Sequence, residues 1–172
     1  MKEIFQLLAE YNALTNLEMI GILEKLPAEK LAQEAGSFYG SILGLVNHIL
    51  VSDLTWLERF VKQWPELEPI KRRLPVLKVQ KLTDIVLDSL AAYKPVRLDL
   101  DETIKQVVRT ISDGRYDQVL SYRNLRGVDQ QKIAWRTFLH LFNHQTHHRG
   151  QVALLLDQLK VENDYSNLIW KF

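Results

Sequence analysis

The chain of 172 residues contains no cysteine. This excludes disulfides, thiolate metal ligands and a protein-borne thiol nucleophile, and it is compatible with a reducing compartment. No run approaches the roughly 18 apolar residues that a membrane span requires. The opening residues Met1-Lys2-Glu3-Ile4-Phe5-Gln6 carry charge where a signal peptide needs an apolar core. The expectation is a cytoplasmic protein with no membrane partner. An excess of one charge is lacking as well: 22 Lys and Arg stand against 21 Asp and Glu, a net +1, which gives nucleic acid no reason to bind. The short basic triplet Lys71-Arg72-Arg73 lies close to prolines and reads as a solvated turn.

What the chain does have is histidine in one place. Four of its five histidines fall within His140-Leu141-Phe142-Asn143-His144-Gln145-Thr146-His147-His148. On a helix, residues four apart share a face about 6 Å apart along the axis. Both His140/His144 and His144/His148 can therefore aim two imidazoles at one divalent ion. His140 and His148 are about 12 Å apart along that axis, too far to share an ion through metal–nitrogen bonds of about 2.0–2.1 Å. A third ligand must come from elsewhere, and His48 or a carboxylate are the candidates. His48 lies in the helical stretch Ser41 to Asp53, with the small residues Ser41, Gly44 and Ser52 on its own face; its other reading is a hydrogen-bonded core histidine. Three neutral imidazoles with a vacant coordination position describe a catalytic site rather than a structural one.

The length fits a single domain, residues 1–172. Apolar spacing predicts a first helix over Glu3–Leu26, its apolar stripe being Ile4, Leu7, Leu8, Tyr11, Leu14, Leu17, Ile20 and Leu23. A polar connection with Gly36 follows. A second helix runs from Ser37 or Ser41 to Lys62 and ends at Pro65. Residues Glu66–Lys81, with Pro69 and Pro75, read as an irregular crossover holding at most one helical turn. A third helix starts at Thr83 or Asp88 and ends at Ile111, bending or beginning near Pro95. A small hairpin is predicted between Tyr116 and Ile133, turning at Gly127. The last helix starts at Asp129 or Lys132 and ends near Leu159. The apolar tail Val161–Phe172 is expected to pack on the body of the protein or on a partner subunit. The fold class is all-α, a four-helix bundle with a crossover between helices two and three and a small hairpin between helices three and four.

Three stretches resemble the DinB/YfiT-like family of small metal-binding four-helix bundles. Ser37-Phe38-Tyr39-Gly40-Ser41-Ile42-Leu43-Gly44, with Asn47-His48-Ile49-Leu50 and Asp53-Leu54-Thr55-Trp56-Leu57, resembles the second-helix motif. His140 to Gln151 resembles the last-helix motif, and Tyr122 and Gly127 match the hairpin region. The resemblance implies that the metal ligands are His48, His144 and His148, choosing the 144/148 pair over 140/144. His140 and His147 match common motif residues that are not expected ligands. Asn47, Asp53, Asn143 and Gln151 are candidates to orient the ligating rings, and Arg149 is a candidate partner for Asp53.

The resemblance further implies one divalent transition metal, Zn or Ni first and Fe or Mn next. It implies a transferase in which a small-molecule thiol takes the open position and attacks an electrophile, which suits a chain with no cysteine. A metal-dependent hydrolase is the variant, weakened by the lack of a glutamate spaced as general base. A non-catalytic, stress-related metal-binding or interaction protein is the alternative from another class. A homodimer is the family expectation, supported in the sequence by the apolar tail.

Overall fold

A computed structural model describes all 172 residues, and they are mostly helical. The elements in order are α1 (Lys2–Leu23), α2 (Ala28–Ala32), α3 (Ile42–Gln63), α4 (Glu68–Lys71), α5 (Leu90–Thr110), β1 (Val119–Arg123), β2 (Asp129–Ile133) and α6 (Ala134–Gln158). The long helices α1, α3, α5 and α6 enclose the core, with α1 and α3 each packed against both α5 and α6. No helix is long and apolar enough to cross a membrane.

The helix ends have local causes. The Ser41 hydroxyl accepts from the Gly44 amide and starts α3, and Ser89 does the same for α5 through the Ala92 amide. Pro95 lies inside α5, which neither begins nor breaks there; burial of Tyr93, Arg97, Leu100 and Ile104 holds the helix across the missing hydrogen bond. At the start of α6 no side chain caps the helix. Instead the amides of Ala134 and Trp135 donate to the carbonyls of Gln118 and Tyr116 at 2.8 Å each, so the hairpin satisfies the first turn. At its far end Lys160 takes a left-handed conformation (φ 57°), and the Val161 amide reaches back to the Leu156 carbonyl.

Three expectations need correction. The first helix ends at Leu23 rather than Leu26, and a short helix, α2, follows Pro27. The last helix begins at Ala134, since Asp129–Ile133 forms β2 paired with β1 in the register Val119↔Ile133. On α1, Ile4, Leu7, Leu14 and Leu17 are exposed, while Asn12, Thr15 and Asn16 are buried with Phe5, Ala9, Met19 and Ile20. The tail lies against the body as expected, with Tyr165 buried and its hydroxyl donating to the Arg149 carbonyl and the Tyr11 hydroxyl donating to the Ser166 carbonyl, while Trp170 is 74% exposed.

Candidate metal centre

His48 on α3 and His144 and His148 on α6 meet where these two helices pack. Their Nε2 atoms form a triangle with every edge 3.1 Å. Ligands at about 2.0–2.1 Å stand about 2.8–3.0 Å apart in octahedral and about 3.3–3.4 Å apart in tetrahedral geometry. The triangle falls between the two, and the three rings can hold one metal ion.

Hydrogen bonds behind the rings reinforce this. Nδ1 of His48 lies 2.9 Å from the Leu82 carbonyl, to which it can only donate. Nδ1 of His148 lies 2.7 Å from Gln151 Oε1 and donates there. Both bonds put the ring proton on Nδ1 and leave Nε2 with a lone pair. Lone pairs converging at 3.1 Å repel one another unless a cation or proton lies between them. Burial holds the rings neutral, pushing His48 down to about 4 and His144 down to about 3, with His148 also lowered. Protons therefore compete little for these nitrogens near neutral pH.

Of the expected supporting residues, Gln151 touches one of the three rings, that of His148, directly. Asn47 acts at one remove: its side chain accepts from the Val86 and Leu87 amides and donates to the Leu43 and Leu87 carbonyls. This pins the segment that presents Leu82 to His48. Asp53 points into the core, where it accepts from Arg97 at 2.6 Å and from Gln145 at 2.8 Å. The expected Arg149–Asp53 pair is not formed; Arg149 donates to Asn12, Asn16 and Gln145 instead. Asn143 is exposed on the outer side of α6, away from the rings. His140 and His147 are exposed too, with ring centroids 5.6 Å from His144 and 4.8 Å from His148 respectively.

Tyr39 is a site residue that no reading of spacing selected. Its ring stacks on His48 at 4.0 Å, and its hydroxyl lies 2.9 Å from His48 Nε2. Two glycines put it there. Gly40 turns the chain at φ +75°, and a Cβ on Gly44 would collide with the Tyr39 carbonyl. The bare Cα of Gly44 therefore makes room for the Tyr39 backbone, not for the imidazole. The available signal was the aromatic residue just ahead of the helix cap Ser41, with glycines on both sides.

A cavity of about 350 Å³ opens beside His144, walled by Ser52, Trp56, Arg59, Tyr122 and His140, with the hairpin tip as its outer rim. No aspartate or glutamate lines it.

The model of the DinB family matches residues 1–170. The chain belongs to the DinB family. Protein DinB of Bacillus subtilis (strain 168) is 24% identical over 156 residues, covering 88% of this chain and 83% of that protein. The crystal structure of a DinB-like protein from Bacillus cereus ATCC 10987 superposes with a TM-score of 0.56 at 18% identity, covering 88% of this chain and 91% of the other. That likeness concerns the fold. The DinB assignment agrees with the resemblance read from the histidine motifs.

Proposed function

We propose that this DinB-family chain is a metal-dependent enzyme that activates a small-molecule thiol for transfer to an electrophile. Its site rests on a four-helix bundle whose crossover covers His48. The observation that carries the reading is the 3.1 Å triangle of Nε2 atoms standing at the edge of an open cavity. His48, His144 and His148 hold one divalent transition metal, zinc or nickel first and iron or manganese next. Such an ion, when bound, supplies Lewis acidity that brings the pKa of a coordinated thiol or water toward neutrality.

The chain's own residues prepare that chemistry. Leu82 and Gln151 fix the tautomers of His48 and His148. Tyr39, kept protonated by burial, offers a hydroxyl donor beside His48. The sulfur must arrive on a cosubstrate, because the chain has none of its own as a thiol. It gives its S–H proton to water and bonds to the electrophilic carbon, and the leaving group departs with the electron pair of the bond that breaks. Hydrolysis has less support, since no carboxylate base lines the cavity.

The protein works in the cytoplasm as a homodimer. Support for the dimer is the exposed apolar set Leu14, Leu17, Ile169 and Trp170.

The test is conjugation of monochlorobimane by metal-loaded protein across bacillithiol, mycothiol, glutathione and coenzyme A, read by mass spectrometry. Turnover with at least one thiol, abolished by chelation, is expected; none above the metal-free rate contradicts the proposal. One observation favours a second reading, a non-catalytic metal-binding module: the Tyr39 hydroxyl is close enough to His48 Nε2 to serve as a fourth ligand. In that case cobalt-substituted protein gives no sulfur-to-cobalt absorption band with β-mercaptoethanol until Tyr39→Phe opens the shell. The enzyme reading expects the band in the unmodified protein.

A further inference from the structure

Arg59 is a half-buried cation with no counter-ion. It leaves α3 in the wall of the cavity beside His144. Its guanidinium carbon lies 4.4 Å from the ring centre of Trp56 and 4.4 Å from that of Tyr122. The two rings meet edge to face, their centroids 5.3 Å apart, and the guanidinium sits in the corner they form, packed on both. They accept none of its five N–H donors in the plane, and no carboxylate lies within ion-pair distance. The desolvation this imposes is not offset: burial pulls the Arg59 guanidinium below its ordinary value, against weaker upward pulls from Tyr122 and Glu58.

A second polar group in the same wall is also unpartnered. Ser52, one turn beyond His48, is 6% exposed, and its hydroxyl has no hydrogen-bond partner. A serine inside a helix can bond the carbonyl one turn back; this one does not. His140 lines the same wall, its ring 5.4 Å from Trp56 and 5.6 Å from His144. Arg126 at the hairpin tip adds a second, exposed cation to the rim.

We propose that Arg59 is the recognition residue for a carboxylate on the substrate or cosubstrate that occupies this cavity, with its reacting end toward His144. No carboxylate lines the wall, its strongest donor is held in the corner of two aromatic rings, and a planar guanidinium matches a carboxylate with two parallel hydrogen bonds. Of the two cations only Arg59 is held by packing, Arg126 being exposed at the rim, which suits a singly charged carboxylate better than a phosphate dianion. The assignment rests on the cavity being the approach to the site proposed above. It gives that reading a substrate class: a molecule with an anionic carboxyl end and, in the thiol-transfer scheme, a sulfur at the other.

The test separates the carboxylate site from the metal chemistry. Binding of γ-mercaptobutyrate, of its neutral amide and of inorganic phosphate is followed by NMR shift titration of the metal-free protein and then of the zinc-loaded protein. The acid is expected to bind about tenfold or more tightly than the amide, the scale of one charge-assisted hydrogen bond. In Arg59→Gln the preference should shrink to within about twofold, and Arg59→Lys should recover part of it. An acid-to-amide ratio unchanged in Arg59→Gln overturns the assignment, as does acid that binds neither form of the wild-type protein, or phosphate that binds more tightly than the acid. If zinc adds nothing to thiol affinity while the Arg59-dependent ratio persists, the thiol-activation reading fails and the carboxylate site stands. Retained melting temperature and zinc stoichiometry in the Arg59 variants tie the change to recognition rather than folding.

Discussion

Gln145 on α6 donates its side-chain amide to Asp53 on α3 at 2.8 Å, in the core layer next to the point where the histidines of the same two helices converge. The same carboxylate oxygen accepts from Arg97 on α5, which also pairs with Asp101, and Asn16 on α1 donates to both Asp101 and Gln145. All four long helices thus share one buried polar layer. It fixes the rotation of α6, and with it the direction in which His144 and His148 point.

Asp53→Ala takes away half of the counter-charge of Arg97 and leaves the Gln145 amide without its acceptor. Breaking a buried pair in this way costs about 3–5 kcal/mol. Urea denaturation of the metal-free variant should show a loss of that order. A loss below about 1 kcal/mol would mean the layer is incidental to stability.

Asn47→Ala removes the clamp on residues Val86 and Leu87. Hydrogen exchange at those two amides should accelerate markedly, while amides in the middle of α5 keep their protection. Unchanged exchange at both positions would show that the segment presenting Leu82 to His48 is held by other contacts.

Much of this arrangement is legible in the sequence. The four-residue spacing of His144 and His148 puts two rings on one face in any α-helix, and the hairpin followed from the change of period and the glycine turn. What escaped depended on packing between distant segments. Tyr39 precedes its helix, and its place over His48 depends on two glycines. Which guanidinium, Arg97 or Arg149, meets Asp53 depends on the rotation of α5 and α6 about their axes. On α1 the apolar spacing marked a helix but named the wrong face in part, because Asn12 and Asn16 are buried to serve the polar layer.

Gln151→Leu takes away the acceptor that fixes the His148 tautomer. Loss of such an outer partner costs about 10–100-fold in metal affinity. Competition for zinc against a chromogenic chelator measures it, and an affinity within about twofold of wild type contradicts the role assigned to Gln151.

The pH dependence has a definite sign. Burial chiefly depresses His48 to about 4 and His144 to about 3 from an unfolded value of 6.5. A depressed imidazole contributes stability that is complete above the unfolded value and is lost as the pH falls through the folded one. The melting temperature of the metal-free protein should therefore fall between pH 6.5 and about 4, more steeply than that of a His48→Leu/His144→Leu variant. A difference between the two proteins that stays constant with pH would contradict the assignment of these shifts.

Elemental analysis of protein purified without chelator, for the wild type and for single alanine variants at His48, His144, His148, His140 and His147, tests the central claim most directly. One transition-metal ion per chain is expected in the wild type and in the His140 and His147 variants, with loss of the ion in each of the other three. Full occupancy in His144→Ala, or loss in His140→Ala equal to that in His144→Ala, would contradict the three-histidine centre.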